Sequence, residues 1–357
     1  MIKTLQLKHG TVNLPAFFPD GTYGVVRCVD SFDLERCNVP GLVMNSYHLL
    51  TKPGLNVLKS VGGLHAFTNW NHPIITDSGG FQVFSLIREN PKYGEVRKNE
   101  IIFRPNADED KLILTPEKSI QSQFVYGSDI IMCLDYCTHP DDGYEENKRS
   151  VEVTINWAKR CKEEYLKQLN NRRIKECDKP LLFAIIQGGS FFDLRKYCAD
   201  ELKTIGFDGY GFGGFPINSK GELVEDILQY TADLMPDDKP KYAMGIGKPD
   251  GIKKCYDMGY NLFDCVIPTR EARHNKLYIF KNNSGFEYEA YYALDEKNIR
   301  NTMRISDECD CHACRNYSRA YLYHLYKIGD SLAFRLATIH NLRFYSMFME
   351  RLQLLQR

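Results

Sequence analysis

The segment from Asn261 to Lys276 brings one acidic side chain and several basic ones close together in the chain. It begins with an apolar run typical of a β-strand, but the run contains Asp264. Pro268 then stops the predicted strand, and a basic loop with Arg270 and Arg273 follows. Burying a carboxylate is costly unless it is paired or used, and a basic loop indicates an anionic partner. The segment therefore predicts a functional acid beside a site for an anion.

Further candidate groups follow other strand-like runs. These groups are Asp77 with Ser78-Gly79-Gly80, Asp135, Gln187 with Gly188-Gly189, Gly213-Gly214, and Met244-Gly245. In a barrel of parallel strands these ends form one active face. Three carboxylates at one mouth repel each other and raise at least one pKa. That suits a nucleophile, a general acid/base and a group that reads the substrate by hydrogen bonds. The alternative is that each acid only caps the following helix, which is less favoured for three acids at different strand ends.

A cysteine cluster predicts a metal site near the end of the chain. Cys309, Cys311 and Cys314 place three thiolates in one loop, and a histidine would complete a tetrahedral zinc site. Three candidates follow, and we favour His340 because it shares a helical face with apolar residues. We expect His312 to turn outward and His324 to be a packed core histidine. No open position or catalytic base lies nearby, so the predicted zinc is structural; three merely buried thiols are the alternative.

Composition limits the class of protein. The chain has 357 residues, of which 43% are hydrophobic, enough for one large α/β barrel or two ordinary domains. Lysine plus arginine and aspartate plus glutamate each total 46, so any nucleic-acid site is a local patch. Nine of the twelve cysteines are scattered singly, which indicates a reducing compartment and not a disulfide framework. The N-terminus lacks the apolar core of a signal peptide, and no apolar run is long enough for a membrane span. We expect a cytoplasmic protein with no membrane partner.

Eight short apolar runs alternate with helix-like segments and predict the fold. The runs are Val12–Phe18, Gly41–Asn45, Pro73–Asp77, Asp129–Asp135, Leu181–Gln187, Phe207–Gly214, Tyr242–Gly247 and Leu262–Ile267. Such alternation indicates parallel βαβ units, and eight nearly continuous apolar strands favour a closed (β/α)₈ TIM barrel. A doubly wound sheet is the runner-up, but the first strand lacks a glycine-rich dinucleotide fingerprint.

The remaining elements complete the predicted organisation. Helices are predicted at Ser31–Cys37, Gly54–Val61, Pro116–Tyr126, Glu145–Leu169, Phe192–Ile205, Lys220–Leu234 and Pro249–Met258. Pro91–Leu114 is predicted to be an excursion over the barrel mouth, and two strands, Leu277–Phe280 and Glu287–Ala293, belong to a small β insertion. Asp330 caps a last helix that runs to Gln356. We predict a barrel over 1–283, a zinc-binding subdomain over 284–330, and a final barrel helix over 331–357 carrying the fourth zinc ligand.

These motifs resemble the tRNA-guanine transglycosylase family over nearly the whole chain. The most specific are TDSGGFQ at Thr76–Gln82, FDCVIPTR at Phe263–Arg270 and CDCHAC at Cys309–Cys314 with a histidine 26 residues after the last cysteine. The resemblance implies a (β/α)₈ barrel with a zinc subdomain inserted before the last helix. It also implies a homodimeric enzyme of queuosine biosynthesis, which exchanges guanine for a 7-deazaguanine at wobble position 34 of GUN-anticodon tRNAs (Asp, Asn, His, Tyr).

The resemblance also implies a role for each matched residue. Asp264 would be the nucleophile that attacks ribose C1′, and Asp77 the general acid/base. The polar edges of the base would be read by Asp135, Gln187 and the Gly214 backbone, and its faces would be covered by Phe81 and Met244. Arg270 and Arg273 would hold the flanking uridines of the tRNA. Cys137 matches the bacterial pattern, and Phe81 matches the aromatic residue of eukaryotic members.

The segment Phe215–Ser219 departs from the family pattern, and it leaves the incoming base open. Ser219 replaces an expected acid, and Pro216 removes a backbone donor. The bulk of Ile217, where queuine-using members tend to have glycine, favours preQ1, with queuine as the alternative. Two other functions stay open: a non-catalytic tRNA-binding partner subunit, and a paralogue that acts on DNA.

Overall fold

The structure is a computed structural model that describes residues 2–104, 111–218, 220–282 and 284–355. Eight short parallel strands form its centre. In chain order they are β1 (Ala16–Pro19), β2 (Leu42–Met44), β3 (Ile74–Thr76), β4 (Ile130–Met132), β5 (Leu181–Ile186), β6 (Gly209–Phe212), β7 (Lys241–Ala243) and β8 (Leu262–Cys265).

The strands pair in chain order from β2 to β8, and β8 then pairs with β1. A single parallel bridge between Asp20 and Val43 joins β1 to β2, so the barrel is nearly closed. The Gly21 amide also donates to the Val43 carbonyl at 2.7 Å across this seam. The predicted (β/α)₈ barrel is confirmed, and the doubly wound alternative is wrong because consecutive strands are neighbours all the way round.

Alternate strand residues fill the barrel interior. Phe18, Met132, Ile185 and Tyr242 belong to one buried cluster, which also includes apolar residues from an N-terminal hairpin. The strands of that hairpin are Thr4–Leu7 and Gly10–Asn13, which pair in antiparallel register. The predicted first run Val12–Phe18 is therefore wrong in its bounds, because it joins the end of the hairpin to the start of β1. Pro15 lies between the two strands and has no amide hydrogen for a ladder.

Helices surround the barrel. They span Ser31–Arg36, Ser46–Leu49, Leu55–Ser60, Leu64–Thr68, Gly80–Glu89, Pro116–Tyr126, Tyr144–Arg172, Phe192–Ile205, Glu225–Leu234, Pro249–Asp257, Ile267–Arg273, His312–Asn316, Arg319–Lys327 and Ser331–Leu354. Two of the predicted helices, Pro116–Tyr126 and Phe192–Ile205, have the predicted bounds. In the described parts of the chain, no helix combines the length and apolarity needed to cross a membrane.

Two predictions next to the site were wrong. The helix predicted from Lys220 begins at Glu225, because Ile217 and Leu223 form an antiparallel bridge just before it. The strand predicted to reach Ile267 ends at Cys265, and the helix Ile267–Arg273 replaces the predicted basic loop. Pro268 lies in the first turn of that helix, where its missing amide hydrogen costs nothing.

The predicted excursion between Pro91 and Leu114 is a small antiparallel sheet. Its strands are Gly94–Val96, Ile101–Phe103 and Leu112–Leu114, and residues 105–110 of the prediction lie outside the described residues. The sheet contacts the long helix Tyr144–Arg172, whose Trp157 indole donates to the Lys98 carbonyl at 2.8 Å.

The C-terminal part combines a hairpin with the last helix. The strands Lys276–Phe280 and Tyr288–Tyr292 are antiparallel, and they pair across the boundary predicted at residue 283. The Asp330 side chain accepts from the Leu332 amide at 2.8 Å and caps the last helix as predicted. From that helix, the Asn341 side chain bonds the Tyr278 amide and the Pro268 carbonyl. The last helix is thereby tied to the segment that follows Asp264, and the division into three domains stays a prediction.

Candidate active site and metal centre

A cavity of about 390 Å³ opens at the carboxyl ends of the barrel strands. Every residue assigned above to the base or to catalysis lines it. These are Asp77, Phe81, Asp135, Cys137, Gln187, Gly214, Phe215, Met244 and Asp264. The strand ends meet here because the barrel is parallel and nearly closed, so groups far apart in sequence share one small volume.

Asp264 is the last residue but one of strand β8, and its carboxylate is held through one oxygen. Its Oδ1 accepts hydrogen bonds of 2.8 Å from the Tyr242 hydroxyl and from the Gly245 amide. Burial raises the pKa of Asp264 to about 6, although these two donors lower it. The carboxylate is thus mainly ionised at neutral pH. Because both donors meet Oδ1, Oδ2 is the oxygen best placed to act as a nucleophile.

Asp77 follows strand β3, and its carboxylate accepts hydrogen bonds from donors that follow β2 and β3. Its Oδ1 accepts from the Ser46 amide at 2.8 Å and the Gly79 amide at 3.1 Å, and its Oδ2 accepts from the Asn45 side chain at 2.6 Å. Burial raises the pKa of Asp77 to about 7, and the charge of Asp264 raises it further. A carboxyl group with this pKa can both give and take a proton near neutral pH.

Asp135 and Gln187 form a pair at the ends of β4 and β5. The Gln187 amide nitrogen donates to Asp135 Oδ2 at 2.6 Å, and burial raises the pKa of Asp135 to about 6. The Gln187 Oε1 is buried and has no hydrogen-bond partner within the described residues. A buried acceptor without a donor is costly, so this oxygen indicates a ligand that supplies one.

Glycines let the end of β6 approach this pair. A Cβ on Gly213 would lie 2.6 Å from the Gln187 side-chain nitrogen, which excludes any larger residue. Gly214 has a φ of +95°, a backbone conformation that favours glycine. The backbone of Gly214 can therefore line the cavity beside Gln187.

Aromatic and sulfur-containing side chains form the walls. Phe81 is 43% exposed, and its ring centroid lies 5.6 Å from that of Phe215 at the mouth. Met244 lies deeper, with its sulfur beside Gly211. Burial raises the pKa of the Cys137 thiol well above its usual range, so Cys137 contributes shape and not a nucleophile.

A second cluster joins Cys309, Cys311, Cys314 and His340, all of them buried. Their ligand atoms lie within 4.8 Å of one another, and the distance from Cys314 Sγ to His340 Nδ1 is 3.1 Å. His340 Nε2 lies 2.8 Å from the Tyr278 carbonyl, which leaves Nδ1 free to bind a metal. The neighbouring Cys309 thiol lowers the pKa of Cys311, so the cluster readily holds a thiolate. This donor set could hold a metal ion, and it suits structural zinc.

The other two candidate histidines lie apart from this cluster. His312 is half-buried, and its ring lies 3.1 Å from the Asn316 side chain. His324 is exposed. Its prediction as a core histidine was wrong, because the helix Arg319–Lys327 turns Leu322 and Leu325 inward instead.

Comparison with known proteins gives the same family as the motifs. The profile of the family described as Queuine tRNA-ribosyltransferase matches residues 2–354. A protein of that name from Psychrobacter sp. (strain PRwf-1) is 41% identical over 97% of this chain and 87% of its own length. One from Acinetobacter baylyi is 42% identical over 96% of this chain and 84% of its own length. The chain belongs to the queuine tRNA-ribosyltransferase family. Enzymes of this family are pentosyltransferases that act on tRNA and a base.

In this member of the family, the two arginines after Asp264 lie outside the cavity. Both are on the helix Ile267–Arg273. The Arg270 side chain is half exposed and lies 3.7 Å from Glu271. Arg273 is partly buried, and its Nη1 has no hydrogen-bond partner within the described residues. They lie close to Asp264 in the sequence but do not line the cavity.

Sequence reasoning missed several groups that support Asp264 and Asp77 in the cavity. Tyr242 and Gly245 hold Asp264, and Asn45 with Ser46 holds Asp77. Asn45 could have been found in the same way as Gln187, since each is an amide side chain at the end of an apolar run. Asp20 follows β1 as Asp77 follows β3, and its charge raises the pKa of Asp264. The predicted first run stops at Phe18 and so does not include Asp20.

Proposed function

We propose that this protein is a tRNA-guanine transglycosylase of queuosine biosynthesis. It exchanges guanine at wobble position 34 of GUN-anticodon tRNAs (Asp, Asn, His, Tyr) for a 7-deazaguanine. Membership of the family supports the reaction class. The observation that carries the proposal is that Asp264 and Asp77 line one cavity together with Asp135, Gln187 and Gly214. That cavity combines two carboxylates for chemistry with polar groups that match the edges of a purine.

In the first half of the reaction, Asp264 Oδ2 attacks ribose C1′ of the target nucleotide. A bond forms between C1′ and the carboxylate oxygen, and the C1′–N9 bond breaks with its electron pair going to guanine. Asp77, protonated near neutral pH because of its raised pKa, gives its proton to the departing base. A carboxylate can capture an oxocarbenium-like centre in this way, which splits one difficult displacement into two easier ones.

In the second half, the ionised Asp77 removes the proton from N9 of the incoming 7-deazaguanine. N9 attacks C1′, and Asp264 leaves as a carboxylate. The Tyr242 hydroxyl and the Gly245 amide stabilise that returning charge through Oδ1. The protein ends the cycle in the protonation state in which it began.

The base is read by complementary donors and acceptors. The Asp135 carboxylate accepts, so it suits the N1–H and 2-amino donors of guanine. The Gly214 amide donates, so it suits the 6-oxo group, and Phe81 with Met244 covers the ring faces. The target nucleotide must leave its stack to reach this depth.

For the incoming base we propose preQ1, with queuine as the alternative. Phe215, Pro216 and Ile217 line the cavity. The segment whose sequence differs from the family pattern would therefore face the bound base. The bulk of Ile217 disfavours the cyclopentenediol of queuine. The Ser219 position, where the family has an acid, lies outside the described residues.

We also propose that Cys309, Cys311, Cys314 and His340 hold a structural zinc ion. The bound ion would cross-link the cysteine loop to the last helix, which itself contacts the segment after Asp264. We further propose that Arg270 and Arg273 hold the uridines flanking the target. In a cytoplasmic homodimer, one subunit would catalyse the exchange while the second helps to hold the tRNA.

The test is incorporation of labelled bases into unmodified tRNA with a GUN anticodon, comparing preQ1, queuine and guanine. We expect exchange by the wild type and none by Asp264→Asn, which also forms no covalent adduct with tRNA. Asp238→Asn, an exposed change before β7, is the matched control and should keep full activity. A normal rate for Asp264→Asn refutes the nucleophile, and an inactive wild type that still binds tRNA favours the partner-subunit function. A DNA hairpin of the same sequence tests the DNA-acting alternative.

A further inference from the structure

Arg195 is a fully buried cation that lies behind the base pocket. It is on the helix Phe192–Ile205 and is 1% exposed. Within the described residues no carboxylate forms an ion pair with it. Burial lowers its pKa to about 10, so it stays charged at neutral pH. A buried charge without a carboxylate partner is costly, so the hydrogen bonds of Arg195 must offset that cost.

All its hydrogen bonds go to backbone carbonyls at the ends of two neighbouring strands. Its Nε donates to Gly189 at 2.8 Å, its Nη1 to Ile186 at 3.1 Å, and its Nη2 to Gly213 at 3.0 Å. The guanidinium also lies 4.3 Å from the centre of the Phe212 ring. These carbonyls flank the two residues, Gln187 and Gly214, that line the cavity.

The bond to Gly213 determines where the next amide points. The peptide unit between Gly213 and Gly214 is planar, and in a trans unit the C=O and N–H point in opposite directions. Because Arg195 holds the C=O on the side away from the cavity, the Gly214 N–H must point toward it. Gly214 itself lines that cavity, beside Gln187.

We propose that Arg195 is a positioning residue that orients and polarises the Gly214 amide for the 6-oxo group of the base. The inference rests on the proposed function, since it takes guanine and its 7-deaza analogues as ligands. A positive donor on the carbonyl draws electrons through the peptide unit and makes the opposite N–H a stronger donor. Arg195 thereby serves base recognition without touching the base.

The test compares binding of guanine with binding of 6-thioguanine, measured by calorimetry on the whole chain without tRNA. The two bases share their N1–H and 2-amino donors, but sulfur is a weak acceptor. We expect Arg195→Met to weaken guanine binding by about tenfold or more and 6-thioguanine binding by less than about threefold. Arg195→Lys restores a charge with fewer donors, and it should fall between the wild type and Arg195→Met for guanine.

A second buried cation provides the matched control. Lys241 is 5% exposed and, like Arg195, donates to a backbone carbonyl, that of Ala232 at 2.9 Å. It also pairs with the Asp237 carboxylate at 2.8 Å, and it starts β7 at the opposite end of the barrel. Lys241→Met should leave the ratio of the two affinities unchanged. If the Arg195 variants lose affinity for guanine and for 6-thioguanine equally, the inference is overturned, because a general distortion of the cavity would then explain both losses. If Arg195→Met does not fold, the same ratio in Arg195→Lys decides. The exchange assay on the wild type tests the proposed function separately.

Discussion

The Tyr242 hydroxyl donates a hydrogen bond of 2.8 Å to Oδ1 of Asp264, joining β7 to β8 at the cavity. Tyr242 is almost completely buried, and burial together with the charge of Asp264 raises the pKa of its hydroxyl well above the usual range. The hydroxyl therefore stays a donor throughout the working pH range, and it favours the ionised form of Asp264.

Removing this hydroxyl should change how the rate depends on pH. Because the bond lowers the pKa of Asp264, Tyr242→Phe should raise that pKa and move the acidic limb of the kcat/KM profile to higher pH. We expect a loss of about tenfold in kcat/KM at neutral pH, the usual size for a bond to a charged group. The measurement is a pH series of guanine exchange. An unshifted acidic limb would show that Asp264 does not control it.

Asp77→Asn should affect stability with a definite sign. Burial raises the pKa of Asp77 to about 7 in the folded chain, against about 3.9 in an unfolded one. Because the folded chain holds this proton more tightly than the unfolded chain, the contribution of Asp77 to the free energy of unfolding is fully present at low pH. It is lost as the pH rises from about 4 through 7. The change in Tm caused by Asp77→Asn should thus be more favourable at pH 8 than at pH 5, by about 2–4 °C. Thermal melts at both pH values measure this. Asp238→Asn should show no such difference.

The metal centre makes a separate prediction. We expect the purified wild type to hold one zinc per chain, and Cys311→Ser or His340→Ala to lose it and to lower Tm by several degrees, because the last helix loses its link to the cysteine loop. Metal content by mass spectrometry and thermal melts provide the measurement. His324→Ala is the control, since that side chain is exposed. Equimolar zinc in Cys311→Ser would exclude the proposed ligand set.

The two arginines should matter for tRNA and not for the free base. Arg270→Ala and Arg273→Ala remove cations next to the cavity without changing its lining. We expect the KM for tRNA to rise about tenfold or more and to depend less on salt, while affinity for free guanine is unchanged. Lys239→Ala, which removes a half-buried cation before β7, should change neither quantity. If free-base affinity falls instead, the arginines act on the pocket.

The incoming base should respond to residue 217. Ile217 lines the cavity, and in the proposed reaction its bulk would obstruct a larger 7-substituent. Ile217→Gly should increase incorporation of queuine relative to preQ1, because it removes that obstruction. Competition between the two bases in one exchange reaction measures the ratio. The same ratio in variant and wild type would mean that another part of Phe215–Ser219 selects the base.

The sequence by itself determined the barrel and most of the groups that line its mouth. Eight apolar runs alternating with helices predict parallel strands, and a parallel barrel gathers its carboxyl ends on one face. Asp77, Asp135, Gln187 and Asp264 could therefore be assigned to one site from their positions after or within those runs. The cysteine spacing likewise predicted a metal cluster, and helical periodicity selected His340.

Only the tertiary structure decided which groups support those residues. Asn45 reaches Asp77, and Tyr242 reaches Asp264, because strand pairing aligns the end of one strand with that of its neighbour. Arg195 reaches the Gly213 carbonyl because its helix packs against β5, the neighbour of β6. The start of the helix at Glu225 also depended on a bridge between Ile217 and Leu223. Each of these contacts arises from register and barrel closure, which local sequence patterns do not contain.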